Sequence, residues 1–134
     1  MAWYTYIYFI FNFPLSSSYF KPRKWEKKSS IYTYLGVPHF KKLLVLTGWE
    51  KITRKENPIK KDSKTLKSLV YYCRSSELGH SVIAAIVLVN TIAVSMSVAD
   101  AKWLLLTNIL LNIYHVMLQR FNRQRYERLR KFLE

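Results

Sequence analysis

The chain has one cysteine, Cys73, and so cannot close an internal disulfide; its fold takes nothing from an oxidising compartment. Set among Tyr71, Tyr72 and Arg74, that cysteine reads as a small buried hydrophobe in preference to a reactive thiol. Histidine is almost as scarce. His39, His80 and His115 are scattered and, with a single thiol, make no zinc-ligand spacing, so no metal and no cofactor is expected. Acidic residues are few as well: 8 Asp plus Glu stand against 22 Lys plus Arg in 134 residues, a formal charge of +14. The first apolar stretch has no positive segment before it and no small-residue cleavage pattern after it, which argues against a secretory signal.

The charge excess alone would suit a nucleic-acid binder, but its distribution does not. Half of the residues are hydrophobic and 16% aromatic, and long neutral stretches alternate with dense basic ones. Fifteen of the basic residues lie between Lys21 and Arg74, Lys102 stands alone, and six lie between Arg120 and Lys131. Charge that flanks apolar runs is a membrane pattern, and basic loops beside such runs are accounted for by anionic lipid headgroups. No nucleic-acid partner is expected.

The chain has room for one unit, residues 1–134, read as an all-α integral membrane protein of two or three spans. Residues 2–20 carry no charge and are about long enough to cross a thin bilayer when tilted. Pro14 and Ser16 to Ser18 interrupt them, so an interfacial or re-entrant segment is the alternative to a span. Residues 21–62 form a basic cytosolic or interfacial segment. Within it a short helix from Pro38 groups Phe40, Leu43, Leu44 and Val45 beside Lys41 and Lys42; it either lies in the headgroup layer or packs on the protein. From Ser63, read as an N-cap, an amphipathic helix runs into an apolar stretch over 63–99, with a bend expected at Gly79. A second span covers 103–119, and 120–134 is a basic tail. The two C-terminal runs make a transmembrane hairpin whose turn holds Asp100 and Lys102. The positive-inside rule puts its open ends, and the C-terminus, in the cytosol of a multi-pass cell-membrane protein.

On the last apolar run Asn108, Asn112, His115, Gln119 and Asn122 recur at steps of four and three, one helical face. A polar stripe in a bilayer is either glue between helices or a ligand path. A turn near residue 100 sets Glu77 near Arg123, His80 near Arg120 and Asn90 near Leu110. Arg74, Glu77 and His80 share one broad face where their helix enters the membrane. Glu77 is placed to accept from Arg120 or Arg123. His80 is a candidate general base with Glu77 as its orienting partner, the alternatives being a structural ion pair and a structural histidine. His39 and His115 read as structural.

Arg23-Lys24-Trp25-Glu26, Arg74-Ser75-Ser76-Glu77-Leu78-Gly79-His80, and Asn112 followed by Gln119-Arg120-Phe121-Asn122-Arg123-Gln124-Arg125 resemble the pattern of the glycosyl-4,4'-diaponeurosporenoate acyltransferase family. Ser75, Ser76 and Ser81 stand where that pattern has other residues. The resemblance implies transfer of a fatty acyl group, from a donor such as acyl-CoA, to a sugar hydroxyl of a carotenoid glycoside or similar lipid. It implies His80 as base and Glu77 as its partner, with Arg74, Arg120 and Arg123 binding donor phosphates or the oxyanion, and Asn112, Gln119 and Asn122 contacting substrate. The H-x4-D motif of glycerol-phosphate-type acyltransferases is missing: Leu44, Ala85 and Arg120 stand five residues after the three histidines. The competing reading is a non-enzymatic membrane subunit that binds lipid or pigment and docks on a membrane-protein partner. Because so small a chain can barely enclose donor and acceptor, the enzyme reading calls for a homo-oligomer.

Overall fold

In the computed structural model of the protein the described residues are 15, 18–24, 26, 30–56, 58–60, 62–94 and 97–134. Apart from Leu15 and the short 3-10 turn Ser18–Phe20, the expected N-terminal span lies outside them. Among the described residues every regular element is helical. Three short helices, α1 (Ser30–Tyr34), α2 (Val37–Leu46) and α3 (Trp49–Glu56), precede the long α4 (Ser63–Val94). A second long rod follows as α5 (Val98–Asn108), a π-helical turn Ile109–Ile113, and α6 (Tyr114–Leu133).

The short arm turns sharply twice, and both turns use glycine in the left-handed region. Gly36 (φ 74°) carries the chain from α1 into α2, and Gly48 (φ 77°) from α2 into α3. Pro38 opens α2, where its fixed φ suits the first turn and its missing N–H costs nothing. The helix expected from Pro38 therefore forms, but its apolar residues divide. Phe40 and Leu44 pack against the buried cluster of Tyr32, Val37 and Leu118, so the arm rests on α6, while Leu43, Val45 and Leu46 face outward. Each fully buried side chain of that cluster contributes about 1.5–3 kcal/mol where water is the alternative.

Asp62, not Ser63, caps α4: its Oδ1 accepts the Thr65 N–H at 2.8 Å, and Ser63 is already the first helical residue. Ser63 Oγ instead donates to Glu134 Oε1 at 3.4 Å, tying the start of one leg to the end of the other. α4 stays helical through Gly79 and runs for 32 residues, about 48 Å at 1.5 Å per residue. That is longer than the ~30 Å hydrocarbon core of a bilayer. Two helical rods, Ser63–Val94 and Ala101–Leu133, are long and apolar enough to cross a membrane. Asp100 and Lys102 lie within α5 and not in the turn: the first rod ends at Val94 and the second has begun by Val98, because helix-forming Ala99 and Ala101 extend it backwards. The basic residues after 119 continue that rod as α6 without a break. Outward faces of the hairpin are apolar and bare: Ile86, Val89, Ile92, Trp103 and Leu111 are all exposed.

Candidate functional site

Two polar clusters form between α4 and the second rod, one against α6 and one against the end of α5 and the π turn, and they are built differently. The first is ionic. Arg120 bridges two carboxylates, donating from Nη1 to Glu26 Oε1 (2.8 Å) and from Nε to Glu77 Oε1 (2.6 Å), while Arg123 Nη1 donates to Glu77 Oε2. Glu26 completes its set with the Arg23 N–H (2.8 Å) and the Tyr32 hydroxyl (3.1 Å). Glu77 and Arg123 are 0% exposed and Glu26 1%, so this is a buried network in which two acids meet two arginines. Aromatic rings close it: Arg120 stacks over Tyr19 at 5.0 Å and Arg123 over Phe20 at 5.4 Å. Burial works against the Glu26 charge. The Arg23 N–H, Arg120 and Tyr32 outweigh it and hold the carboxyl below its ordinary range. The Tyr32 phenol moves the other way, raised by burial and then by the Glu26 charge.

The register expected from the sequence is half right. Glu77 does meet Arg123, but His80 does not meet Arg120. Side chains lean toward the N-terminus of their own helix, which in an antiparallel pair means α4 residues lean to the open end and α6 residues back toward the turn. Long arginines therefore reach Glu77 from well along α6, whereas a short partner must lie nearer in level. For His80 that partner is Asn112, whose Oδ1 is 3.1 Å from His80 Nδ1. Glu77 consequently does not orient His80; both of its oxygens are taken by arginine.

The second cluster follows from this contact. Asn112 Nδ2 donates to Asn108 Oδ1 at 2.8 Å, and Asn108 Nδ2 donates to the Ala84 carbonyl at 3.0 Å. The expected single polar stripe is thus split in two. Asn108 and Asn112 face α4, whereas His115, Gln119 and Asn122 face the arm. The π turn between them is the cause, since one residue added to a helical turn rotates everything downstream by about 100°. His115 lies in face contact with His80, ring centroids 4.5 Å apart and planes 22° apart, and edge-on to Phe40 at 5.3 Å.

His80 and His115 line a cleft of about 130 Å³ between the arm and the hairpin, together with Gln119 and Asn122. At its arm side Glu50 Oε1 takes Arg54 (2.5 Å) and approaches Lys41 Nζ (3.9 Å). Burial pushes the Lys41 ammonium down from its usual range; Glu50 opposes that shift and the Arg125 and Arg54 charges add to it. Two polar atoms in the cleft wall are buried with no hydrogen-bond partner, Glu50 Oε2 and His115 Nδ1.

A family model described as glycosyl-4,4'-diaponeurosporenoate acyltransferase matches residues 16–131. The chain belongs to that family. No curated protein and no solved structure gives a significant match. Within this family member the sequence-selected residues fall into two groups. His80, Gln119 and Asn122 reach the cleft, and Asn112 stands behind His80. Arg74, Glu77, Arg120 and Arg123 do not line it. Arg74 holds the Leu15 carbonyl (2.9 Å) and Glu127 (3.3 Å), so it straps the N-terminal segment to α6. Glu26, Asn108 and His115 were not selected from sequence. Glu26 had a signal in Arg23-Lys24-Trp25-Glu26, a lone acid in a basic stretch; Asn108 and His115 had one in the polar stripe, but the stacking of His115 on a residue 35 positions away had none.

Proposed function

We propose that this protein is a membrane acyltransferase in which His80 removes the proton from a sugar hydroxyl of a glycosylated carotenoid or similar lipid. Membership of an acyltransferase family supports the reaction class. The observation that carries the site is His80 in the wall of a cleft, at the polar end of two helices long enough to span. The freed hydroxyl oxygen attacks the acyl carbonyl of an activated thioester such as acyl-CoA; the ester C–O bond forms, the C–S bond breaks, and the thiolate takes the proton back from His80. Gln119 and Asn122 contact the sugar, and the acceptor's apolar chain lies along the exposed hairpin in lipid. In this reading residues 1–134 are one multi-pass membrane domain with a cytosolic C-terminus, its basic residues held against anionic lipids.

His80→Ala tests the chemistry. Loss of ester product with unchanged accumulation in membranes is the expected result; product formed at the wild-type rate would overturn the assignment. Labelling of cysteines introduced at 75 and 125 in intact cells tests the topology, which requires both on the cytosolic side. A second reading, a non-enzymatic lipid-binding subunit, is favoured by the small size of the cleft, too small for donor and acceptor together unless a second copy completes it. Co-purification of a different membrane protein whose loss follows His80→Ala would favour it.

A further inference from the structure

Three amides and one ring form a chain of hydrogen bonds with only one consistent direction. It is anchored at the Ala84 carbonyl, which can only accept, so Asn108 must present its Nδ2 there at 3.0 Å. Asn108 then has its Oδ1 turned toward Asn112, which must answer with Nδ2 at 2.8 Å. That leaves Asn112 Oδ1, an acceptor, 3.1 Å from His80 Nδ1. An acceptor facing a ring nitrogen requires that nitrogen to carry a proton. Reversing the chain would set Asn108 Oδ1 against the Ala84 carbonyl oxygen, two acceptors in contact in a buried site, and Asn108 and Asn112 are both buried.

We infer that Asn108 and Asn112 act as positioning residues that fix His80 as its Nδ1-protonated tautomer, leaving Nε2 as the lone-pair nitrogen of a ring that lines the cleft. A free histidine side chain favours the opposite tautomer, with the proton on Nε2, which has no lone pair there to accept a hydroxyl proton. The relay therefore leaves the nitrogen that Asn112 does not hold as an acceptor instead of a donor, in a ring that lines the cleft, the task that histidine-orienting carboxylates perform elsewhere, done here by neutral amides suited to an apolar helix pair. Stacking against His115 keeps the ring plane fixed while this happens. The proposal rests on the reading of His80 as a base for its purpose but not for its geometry.

The test is nitrogen-detected NMR of the full-length, detergent-purified protein labelled with ¹⁵N-histidine, with His80 assigned through His80→Gln. Wild type is expected to show protonated Nδ1 and unprotonated Nε2. Asn112→Leu, which keeps the volume and removes the acceptor, is expected to return His80 to the Nε2–H form and to lower kcat with KM for the acceptor unchanged. Asn108→Leu removes the acceptor that orients Asn112 and is expected to leave both tautomers populated; a tautomer unchanged in that variant overturns the directional role given to Asn108. A wild-type His80 protonated at Nε2, or a tautomer insensitive to Asn112→Leu, overturns the relay whatever the activity. If the tautomer is as stated while His80→Ala still forms product, the relay stands and the catalytic reading falls.

Discussion

The ionic network and the amide relay occupy the same pair of helices and differ in what they leave unused. Around Glu26 and Glu77 all four carboxylate oxygens have donors, and the two arginines lie under aromatic rings. Around His80 the ring is held by Asn112 and Glu50 Oε1 takes Arg54, but the cleft wall keeps Glu50 Oε2 and His115 Nδ1 without partners. The network is closed on its acidic side and serves the architecture: its two unpartnered donors, Arg123 Nε and Nη2, are buried away from the cleft. Stranded acceptors and donors at a cleft are costly at rest and are satisfied by something that enters.

The largest effect that would sharpen this contrast is in the network. Arg123→Ala leaves Glu77 Oε2 without its donor in a buried site, Arg120 holding only Oε1, and is expected to cost about 3 kcal/mol. Thermal denaturation of the detergent-purified protein, or its level in membranes, reads this. Replacing Glu77 and Arg123 together by methionine should cost less than either single change, because no charge is left unpaired. The cleft behaves in the opposite way: His80→Ala should lower turnover by roughly 10²–10⁴-fold. Its effect on stability should stay near the ~1 kcal/mol of one hydrogen bond, read by the same melting assay. Equal stability losses for Arg123→Ala and His80→Ala would erase the distinction between the clusters.

Strong acid should act on the network. Because the Glu26 carboxyl is held below its ordinary value of 4.5, its contribution is present above that value and is lost as pH falls through the lower folded value. Wild type should therefore melt higher than Glu26→Gln at neutral pH, and the two curves should converge below pH 4.5. The smallest effect expected is at the entry to the hairpin, outside both clusters. Asp62→Ala removes the cap on the Thr65 N–H and should lower stability by about 1 kcal/mol with turnover unchanged.

Much of the scaffold is legible in the sequence because it depends on local composition. Two apolar runs between basic flanks give two long helices; Pro38 gives the arm helix; the antiparallel register of a hairpin brings Glu77 to an arginine on the opposite leg. The family pattern, spread along the chain, was readable for the same reason. What proved illegible turns on single residues of phase and on the reach of side chains. A second rod that has begun by Val98 instead of after residue 102, and the π turn at Ile109–Ile113, leave hydropathy untouched yet decide which face each polar residue presents. Glu26 reaches Arg120 across 94 residues of chain, a contact that no spacing rule encodes.

The sequence by itself determined that there would be a basic-flanked helical hairpin with charged groups from both legs at one end, since helix period and the segregation of charge are properties of neighbours along the chain. Only the tertiary structure decided which of those groups are spent on one another and which face a cleft. That choice depends on helix phase, side-chain lean and the level at which two legs meet, quantities that exist only once the legs are packed.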